Sequence, residues 1–169
     1  MPTTEVQKMQ RKFFQNYVDS SMNGTTASYY RIGKDLEEFN IELNPDTETG
    51  KNILGETTFT HNGYEINASA DPFYAREGDP LFAALQNIID TGAQYAGCAT
   101  SILEVHLWEE GATSGSYVAY KQPCYLVPTS YGGDTSGYQI PFTVNYVGEK
   151  VKGKFVPDGS GGGTFTADT

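Results

Sequence analysis

From Leu36 to Ala68 apolar and polar residues alternate on either side of a His61-Asn62-Gly63 segment. Phe39, Ile41 and Leu43 fall on one side, and Glu38, Asn40 and Glu42 on the other; beyond the glycine, Tyr64 and Ile66 oppose Glu65 and Asn67. A period of two predicts strands with one buried and one wet face, joined by a turn at 61–63. The alternation begins near Tyr30 and stops at Asn44-Pro45-Asp46, where proline and turn formers interrupt it. Residues 44–55 therefore read as a long polar loop, of a length that goes with binding or mobility in compact domains. One helix is predicted over about 79–91, with Asp79 as its cap, Pro80 in its first position and Gly92 as its stop. Its apolar face, Leu81, Phe82, Leu85, Ile88 and Ile89, is expected to pack over Phe39, Ile41, Tyr64 and Ile66. Further strands are predicted at 101–108, 116–127, 138–146 and 151–156, the last two joined as a hairpin through Val147-Gly148-Glu149-Lys150.

The two ends read differently from this middle. Val6, Met9, Phe13 and Tyr17 recur at roughly helical spacing ahead of the loop-like stretch 20–26, so 1–28 is expected to be a short helix or an arm that folds on a neighbour. Gly159-Ser160-Gly161-Gly162-Gly163 has the composition of a linker, so 158–169 reads as a flexible Gly-rich tail, with a short strand at 164–166 as the other reading. What remains, 29–157, is one β domain. The expected fold is mainly β: an antiparallel β-sandwich or rolled barrel with one flanking helix. Twelve Tyr and nine Phe in 169 residues support it, since aromatics favour strands and interfaces.

Charge and chemistry narrow the function. A net charge of -10 opposes a nucleic-acid binder that works by neutralising phosphates. The only basic cluster, Lys8, Arg11 and Lys12, is followed by two phenylalanines rather than the apolar run of a signal peptide, and no stretch is long enough to span a membrane. Cys98 and Cys124 lack metal or redox spacing and read as reduced, buried residues of a protein made in a reducing cytoplasm. His61 and His106 have no second histidine at ligand spacing, so no metal is expected. The stretch 44–50 departs from a calcium loop in its displaced glycine and its missing twelfth-position acid. The C-terminal glycines lack the Lys-Ser/Thr pair of a phosphate loop, and no Gly-x-Ser-x-Gly elbow is present. Paired acids such as Glu37 and Glu38, or Glu109 and Glu110, read as a wet face, because nothing marks a desolvated site that would separate two carboxyl pKa values. No enzymatic activity and no cofactor are expected.

Four segments carry a family likeness. Arg31-Ile32-Gly33-Lys34-Asp35-Leu36, Asn44-Pro45-Asp46 running to Asn52-Ile53-Leu54-Gly55, Ala70-Asp71-Pro72-Phe73-Tyr74-Ala75, and Gly137-Tyr138-Gln139-Ile140-Pro141-Phe142 resemble, in this order, bacteriophage major tail tube proteins. The resemblance runs from about residue 30 to 156. It implies a homo-oligomer of six-membered rings stacked into a hollow tube, in the virion tail and assembled in the host cytoplasm. Tape-measure, tail-terminator and baseplate proteins would be its partners, with a sheath protein where the tail contracts, and DNA would pass without specific binding. In such a tube Glu38, Asn40, Glu42, Thr58, Thr60, Glu65 and Asn67, opposite the apolar set, are expected to face the lumen. Asn44, Asp46, Glu48, Lys51, Ile53 and Leu54 of the long loop, with Phe13, Phe14 and Tyr17 of the arm, are expected at contacts between subunits. Three other readings stay open: the tube of a phage-tail-like contractile particle that carries no DNA, a carbohydrate-binding β-sandwich that stacks sugars on Trp108 and tyrosines, and a β-rich hydrolase using two of the acids.

Overall fold

The computed structural model describes residues 5–22, 26–34 and 36–168. The expected arm at 1–28, the Arg31–Leu36 motif and the expected tail fall partly on residues outside these ranges. The elements in order are β1 (Phe14–Asp19), β2 (Tyr29–Ile32), β3 (Ile41–Glu42), β4 (Pro45–Lys51), β5 (Thr57–Tyr64), β6 (Asn67–Ala70), α1 (Pro80–Thr91), β7 (Ala99–Glu110), β8 (Tyr117–Pro128), β9 (Gly132–Asp134), β10 (Gly137–Gln139), β11 (Phe142–Tyr146), β12 (Val151–Pro157) and β13 (Gly162–Ala167). The fold is mainly β with one α-helix, as expected.

Six antiparallel strands close into a barrel in the order β12-β13-β2-β1-β7-β8, with β8 returning to pair with β12. Closure removes the edges that an open sheet would expose. Alternation sends Tyr17, Tyr29, Leu103, Val105, Ala119 and Phe155 inward as one cluster, in which the rings of Tyr17 and Phe155 lie 4.4 Å apart. The hydroxyl of Tyr17 donates to Gln15 Oε1 at 3.0 Å, which gives the polar end of that ring a partner.

Residues 14–19 and 162–167 are therefore part of the barrel, which corrects two expectations. Residues 14–19 are neither helix nor arm: β1 lies between β2 and β7, with Val18 opposite Ile102 and Tyr17 opposite Leu103. The four-residue step from Phe13 to Tyr17 fits a helix, but a helical period needs to continue, and from Phe14 the chain is extended with every second residue on one side. Among the described residues of the expected arm, only Arg11–Phe13 makes a helical turn, of the 3-10 type. The Gly-rich tail is also a strand, β13, which pairs with both β12 and β2. Its glycines give close approach rather than freedom: a Cβ on Gly163 would collide with the ring of Phe155 and with the carbonyl of Val156.

A second sheet leaves the barrel through β8, in the order β8-β11-β6-β3. One face carries Ala68, Ala70, Cys124, Leu126, Phe142 and Val144, all buried, and α1 covers it with Leu81, Leu85 and Ile88. The helix is built as its sequence predicts. Asp79 Oδ1 accepts the Leu81 N–H at 2.9 Å, Pro80 fills the first position, and Gly92 at φ 64 ends it while Ala93 N–H returns to the Ile88 carbonyl. Phe39 is buried beneath it, with Ile41 and Ile66 packed alongside, but Tyr64 is exposed and takes no part.

The expected hairpin through 147–150 does not form. β11 pairs with residues 124–128 of β8 and β12 with 117–121 of the same strand, so the two run end to end along one edge. At the step between them the Pro123 carbonyl accepts the Val147 N–H at 2.9 Å. The N–H and carbonyl of one strand residue point to the same side, so the donor that proline lacks would have pointed into this step. The expected strand 138–146 is likewise broken at Ile140-Pro141 into β10, which pairs with β9, and β11.

Candidate functional site

Two surfaces stand out as unpartnered. The first is the β4–β5 hairpin, which replaces the expected loop over 44–55. Pro45 to Lys51 pair with Thr57 to Tyr64, and the chain reverses at 52–56 rather than at 61–63. His61, Asn62 and Gly63 lie inside β5. The register shifts between Asp46 and Thr47, leaving Asn62 as the extra residue of a bulge, and Gly63 takes φ 125. The two strands pack against each other and against no other element to a comparable degree. Nearly every hairpin residue is exposed on both faces, so no buried face existed to mark these strands in the sequence.

The faces of the hairpin nonetheless differ. Alternation through the bulge places Phe59, His61 and Tyr64 on one side, where the His61 and Tyr64 rings meet edge to face at 4.6 Å. Asp46, Glu48, Thr58 and Thr60 share the other side, Glu48 being directly opposite Thr60. At the base, Asn44 at φ 45 donates its side-chain amide to the Glu65 carbonyl at 3.0 Å. The tip is a built turn: Asn52 Oδ1 accepts the N–H groups of Leu54 at 2.9 Å and Glu56 at 3.0 Å, and Asn52 Nδ2 donates to Glu56 Oε2 at 2.6 Å. With Gly55 at φ 78, this turn holds Ile53 and Leu54 out in solvent.

The second surface is the face of β3-β6-β11 turned away from α1. Glu42 lies opposite Asn67, and Asn67 opposite Asn145; one step along, Ser69 lies opposite Thr143. The register sets Glu42, Asn67 and Asn145 in a polar row across the strands, and Asn145 donates to Thr143 Oγ1 at 3.3 Å along β11. Among the described residues no further strand pairs beyond β3, which leaves that edge open.

The residues expected at the lumen thus fall on two elements and a connector. Glu42 and Asn67 are cross-strand neighbours on the open face, while Thr58 and Thr60 belong to the hairpin. Glu38 and Asn40 are exposed on the way into β3, and Glu65 is exposed on the link into β6. Of the residues expected between subunits, Asn44, Asp46, Glu48, Lys51, Ile53 and Leu54 are all exposed on the hairpin. Tyr17 is corrected: at 2 % exposure it fills the barrel of a single chain and is unavailable to a neighbour. Phe13 and Phe14 are half-buried, and Phe14 stacks on the outer wall of the barrel with His106 and Trp108. Ser69, Thr143 and Asn145 were missed, because only the register of β11 against β6 brings them to this face.

The same outer wall holds a buried carboxylate, Glu104, paired with Lys150 Nζ at 2.5 Å and approached by His106 Nε2 at 3.6 Å. Trp108 lies parallel to His106 at 4.5 Å, so one of its ring faces is covered. Burial pushes the Cys124 thiol up to about 12 and raises the Cys98 thiol and the phenols of Tyr17, Tyr29 and Tyr146. Asp158 moves down, because the N–H groups of Ser160 and Gly162 bind its carboxylate. Each shift carries its group further from neutrality. Among the described residues no three His, Cys, Asp or Glu side chains are placed to share a metal ion, and no helix is long and apolar enough to cross a membrane. Compared with known proteins, the chain matches no family model and no curated protein.

Proposed function

We propose that this chain is a structural subunit that polymerises as stacked rings, six copies to a ring, into the tail tube of a bacteriophage. The observation that carries the reading is the β4–β5 hairpin, exposed on both faces and unpaired on both outer edges. An isolated two-stranded ribbon is marginal in water, and open edges in a monomer invite aggregation. Pairing with the same ribbons of neighbours in a closed ring satisfies those edges and limits growth. The resemblance over residues 30–156 supports the same conclusion.

In this reading the face of Thr58 and Thr60, together with the polar row of Glu42 and Asn67, lines the channel, and Asp46 and Glu48, which share that face, move there from the contacts between subunits where they were expected. Glu38, Asn40 and Glu65 flank it, and the aromatic side of the hairpin turns to the neighbouring bodies. Acids along the wall repel DNA phosphates, so the genome slides through without binding. The role is mechanical and non-enzymatic. The tube would meet tape-measure, tail-terminator and baseplate proteins at its ends, and a sheath protein along its length in a contractile tail.

Electron microscopy of the purified chain across a concentration series tests the proposal. Rings or filaments of constant diameter are expected, and a chain lacking 46–63 should stay dispersed. Dispersed particles of the full chain at every concentration would overturn it, as would unimpaired polymerisation of the shortened chain.

A further inference from the structure

The Asn62-Gly63 step lies inside β5, at the point where the β4–β5 ladder is interrupted. Asp46 pairs with Gly63 and Thr47 with His61, so Asn62 has no partner across the ribbon. Asn62 is exposed. Gly63 follows at φ 125, and nothing lies within 4 Å of the place a Cβ would occupy, so the flank of its peptide nitrogen is open. These features bring together a side-chain carboxamide and the backbone nitrogen of the next residue. Attack of the Gly63 nitrogen on Asn62 Cγ forms a new N–C bond and closes a cyclic imide; the amide proton goes to solvent, the carboxamide C–N bond breaks, and ammonia leaves with a proton from water. Water then opens the imide at either carbonyl. One opening gives aspartate, and the other gives isoaspartate, in which the main chain runs through the former side chain. Water enters and ammonia departs, with no oxidant and no cofactor. The attack requires the peptide plane after Asn62 to turn, which the glycine permits and the unpaired position in the bulge does not oppose.

The other asparagines of the described residues are held or shielded. Asn44 precedes Pro45, whose nitrogen carries no hydrogen. Asn52 Oδ1 accepts the N–H groups of Leu54 and Glu56, and buried Asn16 donates to the Leu103 carbonyl. Asn67 and Asn145 are paired with each other across β6 and β11, Asn87 lies within α1, and Asn40 is followed by the branched Ile41. The second Asn-Gly step of the chain, Asn23-Gly24, lies outside the described residues. We propose that Asn62 is a self-modification site, at which the free chain converts without an enzyme to aspartate and isoaspartate. Both products add a carboxylate to a ribbon that already carries Asp46, Glu48 and Glu56. Isoaspartate also inserts a backbone carbon between His61 and Tyr64, whose rings meet edge to face at 4.6 Å, and moves them apart. The hairpin thereby records how long the chain has spent free in solution. The site is independent of the assembly proposed above.

The test holds the full chain in mildly alkaline buffer, samples it over days and maps its fragments by mass spectrometry. Isoaspartate is counted by methyl transfer from labelled S-adenosylmethionine with an isoaspartyl methyltransferase. A synthetic peptide covering 58–67 gives the rate with no fold around the step. Conversion at Asn62 is expected close to the peptide's rate, with isoaspartate the larger product and Asn44 and Asn52 intact. The ring-current shifts of His61 and Tyr64 in NMR spectra should fade in step with it. Asn62→Gln should remove the label from the fragment that contains position 62, because a glutamine has to close a larger and slower ring. That variant should keep the parent melting temperature, since residue 62 already faces solvent. A folded chain that stays intact at Asn62 while the peptide converts would overturn the site, as would conversion that begins only in denaturant. Label that persists on the same fragment in Asn62→Gln would also overturn it.

Discussion

Phe155 and Phe59 sit mid-strand in two antiparallel hairpins of similar length, β12–β13 and β4–β5, yet the first is 0 % exposed and the second 67 %. The strand hydrogen bonds are of one kind in both. What differs is company: β12 also pairs with β8 and β13 with β2, which turns Phe155 into the barrel beside Tyr17, whereas among the described residues β4 and β5 pair only with each other. A strand's stability therefore lives in what its faces and outer edges meet, and the pairing of two strands alone leaves their side chains in water.

The largest effect should separate the two phenylalanines. Phe155→Ala is expected to destabilise the chain by about 3–5 kcal/mol, read from denaturant unfolding, and Phe59→Ala by less than about 0.5 kcal/mol. Equal losses would mean that the hairpin is packed in the free chain. Alkaline pH should act on the body alone. The Cys124 thiol ionises near 9.0 in the unfolded chain and near 12 in the folded one, so the folded state holds this proton between those values. Its contribution is whole below pH 9.0 and is lost as pH rises towards 12, and the raised phenols of Tyr17 and Tyr29 act in the same direction. The unfolding midpoint should accordingly be level from neutral pH to about 9 and fall above it, less steeply in Cys124→Ala; a level midpoint beyond pH 10 would contradict the burial.

Two smaller changes probe the same contrast. Asp79→Ala removes the helix cap and should cost about 1 kcal/mol by thermal unfolding, while leaving any assembly unchanged at equal folded concentration. Ile53→Ser combined with Leu54→Ser should change unfolding by about 0.5 kcal/mol or less, since both residues already face solvent, but should hold the chain as monomer in sedimentation. Loss of stability without loss of assembly in that double variant would reverse the roles of body and hairpin.

How much of this was legible in the chain follows from the same contrast. The helix was readable because its cap, its first-turn proline, its apolar stripe and its C-terminal glycine all agree. Strands β7, β8 and β12 were readable in outline. The hairpin was not, because alternation records a buried face and Pro45 to Lys51 have none. The C-terminal strand was hidden by composition: Gly162 and Gly163 look like linker residues until the ring of Phe155 is seen to occupy the space a side chain would need. At the candidate surface, the exposure of Glu42, Thr58 and Thr60 followed from their polarity. Their partition between sheet and hairpin, and the company of Asn145 and Thr143, depended on long-range register that no local pattern carries.

The twelve-residue strand β8 has a mechanical consequence. It bonds to β7 along one edge and to β11 and then β12 along the other, so it is the single strand common to barrel and sheet. A pull applied to the sheet through β11 passes lengthwise along β8, and the bonds on both its edges share the load in shear instead of opening one after another. The hairpin, bonded only to itself, has no such load path, so tension along a chain of linked copies would be borne by the bodies and yield first at the arms.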